Sequence, residues 1–202
     1  GIGATNVITA DPGSSQNLNG TAGNDIMNGS EGRNIFHGNN GDDTLYGNGD
    51  SDSLYGDDGD DYLDGGEGSD KLFGGAGNDT LVGGTGSDTI YGNAGVDTVL
   101  VNADSAGYII YRTNANYVFL GDTNDKSATG DGYDRVYNDV ELIVFNDITV
   151  DLRITNIELN GTGWGDAATI YAAPTGNKRL TGTLANDTMY GNDFHNVLIG
   201  KH

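Results

Sequence analysis

An acidic side chain recurs every nine residues through the middle of the chain: Asp25, Asp43, Asp52, Asp61, Asp70, Asp79, Asp88 and Asp97, with Asn34 filling the one gap in the series. Carboxylates held at a fixed interval either repel one another or collect a cation. A hard ion with oxygen ligands converts the repulsion into binding, and calcium accepts six to eight oxygens from carboxylates and carbonyls. Zinc would ask for His or Cys, and magnesium for a stricter octahedron with retained water. The chain has no Cys, which also removes a disulfide framework.

The acids belong to a longer pattern. Written in nines from Gly20 to Leu100, the chain has glycine at position 1 of every row: Gly20, Gly29, Gly38, Gly47, Gly56, Gly65, Gly74, Gly83 and Gly92. Position 4 is glycine except at Asp50, and position 6 is the acid. Position 8 is always large and apolar: Met27, Phe36, Leu45, Leu54, Leu63, Leu72, Leu81, Ile90 and Val99. Four columns in one register predict a repeat architecture.

Each column implies an element. Glycine suits a tight loop with close backbone approach. The x-apolar-x triplet reads as a very short strand sending one side chain inward. Two nonapeptides then make one coil of strand, loop, strand and loop, and stacked coils give two parallel sheets around a thin core. One buried apolar side chain per nine residues does not offset the entropy of ordering them, so a cation between the carboxylates of repeats i and i+2 has to stabilise the fold. Nine rows offer up to seven such pairs.

The rows 65–73 (GGEGSDKLF), 74–82 (GGAGNDTLV) and 83–91 (GGTGSDTIY) resemble the haemolysin-type calcium repeats of the RTX (repeats-in-toxin) family. That resemblance implies an all-β fold, a parallel β-roll (β-solenoid) that folds when calcium binds. Carried over by position, it gives each ion the carboxylate and the carbonyls of positions 1 and 3 from one loop. The carboxylate and the carbonyls of positions 2 and 4 of the loop two repeats later complete the set. For one central ion these are Gly65, Glu67 and Asp70, then Gly84, Gly86 and Asp88. Across the array the implied metal ligands further include Asp25, Asn34, Asp43, Gly47, Gly49, Asp52, Gly56, Asp57, Asp58, Gly59, Asp61, Gly66, Gly68, Gly74, Gly75, Ala76, Gly77, Asp79, Gly83, Thr85, Asn93, Gly95 and Asp97. Asn34, a neutral ligand, departs from the pattern and weakens the N-terminal sites.

Outside the array the reading is coarser. Residues 1–19 form a lead-in or N-terminal cap. Residues 101–162 read as a β-rich cap over the open end of the roll, where strand edges would otherwise meet water. Within it, Tyr108 to Tyr111 and Tyr117 to Leu120 are strand candidates around a turn at Thr113 to Asn116. The stretch 130–137 (GDGYDRVY) restores one repeat-like loop, with Asp134 and Val136 spaced like positions 6 and 8. Ile148, Val150, Leu152 and Ile154 alternate as a half-buried strand does. Residues 140–152 (VELIVFNDITVDL) loosely resemble segments that follow such arrays in large RTX proteins. Laying Gly163 to Gly200 over Gly1 to Gly38 gives 14 identities in 38, so 163–202 reads as the start of a second module offset by 162 residues. Asp187 and Met189 then fall at positions 6 and 8, with Asn196 and Leu198 in the next repeat. On this reading the chain is a fragment of a tandem-module protein.

With 30 acidic residues against nine Lys and Arg, the net charge is −21. Nucleic acid and anionic membranes are therefore poor partners, and no long apolar run predicts a membrane span. No H-E-x-x-H, G-x-S-x-G or G-x-x-x-x-G-K motif is present, and His37, His195 and His202 read as surface histidines, so no catalytic role is expected. Position 5 is irregular, which disfavours an ice-binding ladder. Position 9 of the even rows holds His37, Tyr55, Phe73 and Tyr91. That column reads as cross-strand packing or as a surface for sugar rings or a hydrophobic partner.

The expected function is a calcium-binding module of a secreted or surface-attached, adhesin-like repeat protein, with neighbouring modules of the same chain and a polysaccharide or surface ligand as partners. The alternative is a non-catalytic accessory domain of a secreted enzyme.

Overall fold

Each nonapeptide forms a loop followed by a strand in the computed structural model of the chain, which describes residues 5–103, 108–112, 116–122, 132–146, 149–152, 157–159, 169–172, 178–182, 188–190 and 196–200. The array strands are β3 (Asp25–Asn28), β4 (Asn34–Asn40), β5 (Thr44–Tyr46), β6 (Ser53–Asp58), β7 (Tyr62–Glu67), β8 (Lys71–Ala76), β9 (Thr80–Thr85), β10 (Thr89–Ala94) and β11 (Thr98–Leu100). Odd rows build one sheet and even rows the other. All pairing within the array is parallel and offset by two nonapeptides, as in Leu63↔Leu81 and Leu54↔Leu72. The fold is thus the β-solenoid that the period implies. The inner strands run longer than the predicted triplet, because pairing continues into positions 2 and 3, as in Gly66↔Gly84 and Glu67↔Thr85.

The position 8 side chains from Met27 to Val99 are fully or almost fully buried and form a single file of apolar contacts between the sheets. Residues 5–19, read from sequence as a lead-in, supply two further strands. β1 (Asn6–Thr9) pairs with β3 through Ile8↔Met27, and β2 (Gln16–Asn19) pairs with β4 through Leu18↔Phe36.

Position 5 does one job in seven of its nine rows despite its irregular residue types. On one side Asn24 Oδ1, Asp42 Oδ1, Asp60 Oδ1 and Asn78 Oδ1 accept the amides of Asp42, Asp60, Asn78 and Val96. On the other side Ser51, Ser69 and Ser87 hydroxyls accept the amides of Ser69, Ser87 and Tyr133. Arg33, beneath Ser51 in this column, has no acceptor to offer. Asp50 supplies it instead, taking the amide of Ser51 at 2.7 Å. That accounts for an Asp where the other rows carry Gly, and Asp50 adopts a left-handed φ of 66°.

Beyond the array, both sheets continue. β14 (Tyr133–Tyr137) adds in parallel to β10, with Ile90↔Val136 in register, and β15 (Leu142–Val144) adds in parallel to β11, with Val99↔Ile143. The hairpin of β12 (Tyr108–Arg112) and β13 (Tyr117–Asp122) then closes antiparallel on β14, and β16 (Thr149–Asp151) closes antiparallel on β15. Val118, Leu120, Val136, Ile143, Val150 and Leu152 extend the buried file past the last repeat.

Farther on are β17 (Ile157–Leu159), β18 (Thr169–Ala172), β19 (Lys178–Gly182), β20 (Thr188–Tyr190) and β21 (Asn196–Gly200). The parallel pairings Ile170↔Met189 and Leu180↔Leu198 stand 162 residues after Ile8↔Met27 and Leu18↔Phe36. Asp187, His195, His202, Ile148, Ile154 and most of Thr113 to Asn116 lie outside the described residues.

Candidate calcium ladder

Every position 6 acid of the array is buried in the loop at the edge of its sheet, although a carboxylate removed from water without a partner is costly. One of its oxygens has a clear purpose. Asp61 Oδ1 accepts the amide of Asp43, Asp70 Oδ1 that of Asp52, Asp79 Oδ1 that of Asp61, and Asp97 Oδ1 that of Asp79, at 2.7–2.9 Å. The parallel stack therefore fixes each carboxylate above the acid two repeats earlier.

The second oxygen is different. Oδ2 of Asp43, Asp52, Asp61, Asp70, Asp79 and Asp97 is buried with no hydrogen-bond partner. In Asp43, Asp52, Asp61, Asp70 and Asp79 it lies against the position 1 glycine of its own loop and the position 1 carbonyl of the loop two repeats on. At Gly65 an added Cβ would come within 2.5 Å of both Asp70 Oδ2 and the Gly83 carbonyl, so glycine is required there for room rather than for turning. At Gly68 it is required for both, with φ at +140° and the Asp50 carbonyl directly underneath.

Burial is the main cause that lifts these carboxyls above their ordinary range. Asp52 and Asp61 rise to about 7, and Asp43, Asp70, Asp79 and Asp97 to about 6. The amide bond to Oδ1 lowers each, and neighbouring acids raise each again. Columns of such oxygens beside stacked carbonyls fit a hard cation. Among the described residues no three His, Cys, Asp or Glu side chains converge as a metal cluster. Carboxylate and carbonyl oxygens without His or Cys are a donor set that suits calcium and not zinc.

The family model for the RTX calcium-binding nonapeptide repeat matches four segments of the chain, residues 13–45, 37–72, 73–105 and 176–200, together more than half of its length. The chain belongs to the RTX repeat family. It contains a calcium-binding β-roll, and no individually curated protein matches it.

The RTX ladder is not uniform along its length. In the first repeat the Asp25 carboxylate accepts hydrogen bonds from the Thr21 amide and hydroxyl and from Asn6 Nδ2. Burial raises its pKa, but these bonds outweigh burial and hold the carboxyl below its usual range. Asn39 Nδ2 donates to the Gly20 carbonyl at 3.0 Å, and Asn48 Nδ2 to the Gly29 carbonyl at 3.0 Å. Asn34 Oδ1 accepts the Ser30 amide, and its Nδ2 reaches the Ser14 carbonyl. Side-chain amides and hydroxyls thus serve this end of the roll, while Asp43, Asp52, Asp61, Asp70, Asp79 and Asp97 keep an unpartnered oxygen.

At the opposite end the column continues past the last repeat. Asp134, which the spacing singles out, accepts the amide of Asp88 at 2.9 Å. Glu141, which the repeat spacing does not reveal, accepts the amide of Asp97 at 2.7 Å. The available signal was local: Glu141 stands two residues before the buried Ile143, as position 6 stands before position 8.

The position 9 column is a continuous stack on the outside of the second sheet. His37, Tyr55, Phe73, Tyr91 and Tyr137 lie 4.4, 4.6, 4.9 and 4.0 Å apart between successive ring centroids. Ring faces are spent on one another, leaving edges toward solvent. Among the described residues no helix is long and apolar enough to cross a membrane.

Proposed function

We propose that the roll folds on extracellular calcium and serves as a stiff module of a secreted or surface-attached, adhesin-like repeat protein. The observation that carries this reading is the row of buried, unpartnered Oδ2 atoms of Asp43, Asp52, Asp61, Asp70, Asp79 and Asp97. Four loop pairs have this character in full, Asp43/Asp61, Asp52/Asp70, Asp61/Asp79 and Asp79/Asp97, and the Asp70/Asp88 pair continues the same column. Their carboxylates and the loop carbonyls of positions 1 to 4, among them Gly65, Glu67, Gly84 and Gly86, hold the ions. The Asp25/Asp43 and Asn34/Asp52 pairs contribute least, because Thr21 already serves the Asp25 carboxylate and Asn39 and Asn48 the Gly20 and Gly29 carbonyls.

When bound, calcium supplies the positive charge that lets stacked carboxylates approach. The chain supplies the column geometry, and it excludes water with the file of leucines beneath. Millimolar calcium outside cells matches the roughly 10⁻⁴–10⁻³ M affinities of extracellular modules, and saturation there stabilises the folded state by mass action. Export before folding follows from the low calcium inside cells. The recurrence of the opening strand registers 162 residues later supports tandem modules.

Circular dichroism titrated with calcium and then with EGTA tests the reading. Strand signal should rise with calcium and fall with chelator, and a full strand spectrum already present in EGTA would overturn calcium-driven folding.

A further inference from the structure

The last repeat, Gly92–Leu100, is the ninth and has no eleventh repeat to stack on it, and that place is taken by residues 138–141, which join β14 to β15. Four residues separate Tyr137, which follows the Val136 that pairs with Ile90, from Leu142, which pairs with Thr98, where a nonapeptide has the six of positions 1 to 6, so the turn cannot copy the repeat residue for residue. Its contacts nevertheless reproduce those of the array. The Asp97 amide donates to Glu141 Oε2 at 2.7 Å, as the Asp79 amide donates to Asp97 Oδ1 one coil earlier. The amides of Glu141 and Leu142 both return to the Asp97 carbonyl.

Two oxygens then converge over Gly92. Asp97 is fully buried and its Oδ2 has no hydrogen-bond partner. A Cβ on Gly92 would meet that atom and, at 2.6 Å, the carbonyl of Asp139. The same test at Gly65 finds Asp70 Oδ2 and the Gly83 carbonyl. Asp139 therefore stands in for the position 1 carbonyl and Glu141 for the position 6 acid, its extra methylene making up reach lost with the shorter loop. The charges that face Asp97 are Glu141 and Asp139, both acidic.

We propose that a calcium ion bridges the Gly92–Asp97 loop and the Asp139–Glu141 turn, held by the carboxylates of Asp97 and Glu141 and the carbonyl of Asp139. It fastens the non-repeat cap to the array, so cap docking is itself calcium-dependent. This rests on the reading of the array as a calcium ladder.

Equilibrium dialysis of the full chain against radioactive calcium, with wild type, Glu141→Gln and Asp70→Asn side by side, separates the two. Glu141→Gln should bind one ion fewer, or that ion at least tenfold more weakly. Hydrogen exchange should show Leu142–Val144 losing calcium-dependent protection while Tyr62–Glu67 keeps it. Unchanged binding and protection in Glu141→Gln, with reduced binding in Asp70→Asn, overturns the cap site and leaves the array reading standing. Unchanged binding in both overturns both. Should Glu141→Gln not fold in saturating calcium, Glu141→Asp keeps the charge and shortens the reach. It should weaken the same ion, and wild-type binding there overturns the proposal.

Discussion

At the scale of single residues, the position 6 acids divide by what their second oxygen touches. Asp61 takes part in two proposed sites, with Asp43 below and Asp79 above, and its Oδ2 lies beside the Gly74 carbonyl. Asp61→Asn removes a buried charge and offers an amide donor to that carbonyl, much as Asn34 already donates to Ser14. The calcium-free roll should become more stable while two ions bind more weakly, so the effects on the two states have opposite sign. Asp25→Asn should leave the ion count unchanged, because Thr21 and Asn6 already satisfy that carboxylate. Dialysis counts the ions, urea melts in calcium read the loaded state, and the strand signal remaining in EGTA, larger in Asp61→Asn than in wild type, reads the calcium-free one. A second expectation concerns room. Gly65→Ala drives a methyl group into Asp70 Oδ2 and the Gly83 carbonyl, and overpacking of this kind costs about 1–3 kcal/mol. The loss should show in the calcium midpoint of folding, and a midpoint shared with wild type would mean that the loops separate freely.

At the scale of elements, the strands are held by a leucine file inside and a ring stack outside. Phe73 sits between Tyr55 and Tyr91, so Phe73→Ala breaks two stacked contacts, each contributing about 0.5–1.5 kcal/mol beyond burial. If the stack stiffens the sheet, urea unfolding in saturating calcium should lose roughly 1–3 kcal/mol by that estimate. A neutral result would return the column to the role of a docking surface. The legibility of these elements in sequence follows from their periodicity. Loop glycines, acids and apolar residues of the array repeat in one register, so Leu63 and Asp70 declare their environments outright. The first coil was harder, because Ile8 and Leu18 each provide one apolar residue without the glycine and acid columns around them. Glu141 was hidden by a loop two residues shorter and an acid of a different length. The position 5 ladder was hidden because Asn, Asp and Ser differ as letters and coincide as hydrogen-bond acceptors.

For the whole molecule the controlling quantity is charge. At −21 the chain repels itself, and the buried acids concentrate that repulsion in the roll. The folded pKa values of about 6 to 7 at Asp43, Asp52, Asp61, Asp70, Asp79 and Asp97 stand above the roughly 3.9 of an unfolded aspartate. Between these limits the folded state holds more protons than the unfolded one, so stability of the calcium-free roll must fall as pH rises. The loss begins near pH 4 and is complete once pH passes about 7. Protons and calcium compete for the same oxygens, so at fixed calcium the ions should bind more tightly as pH climbs through this window, with proton release on binding. In calcium-stripped buffer, far-UV circular dichroism should therefore show more strand at pH 5 than at pH 7.5, pH 5 being chosen because the chain precipitates most readily near its isoelectric point of about 4.1. Millimolar calcium should reverse the order, restoring the roll most fully at pH 7.5. A calcium-free roll that gains strand as pH rises would show that these carboxylates are solvated in the folded state, and the ladder would then have no buried charge for an ion to neutralise.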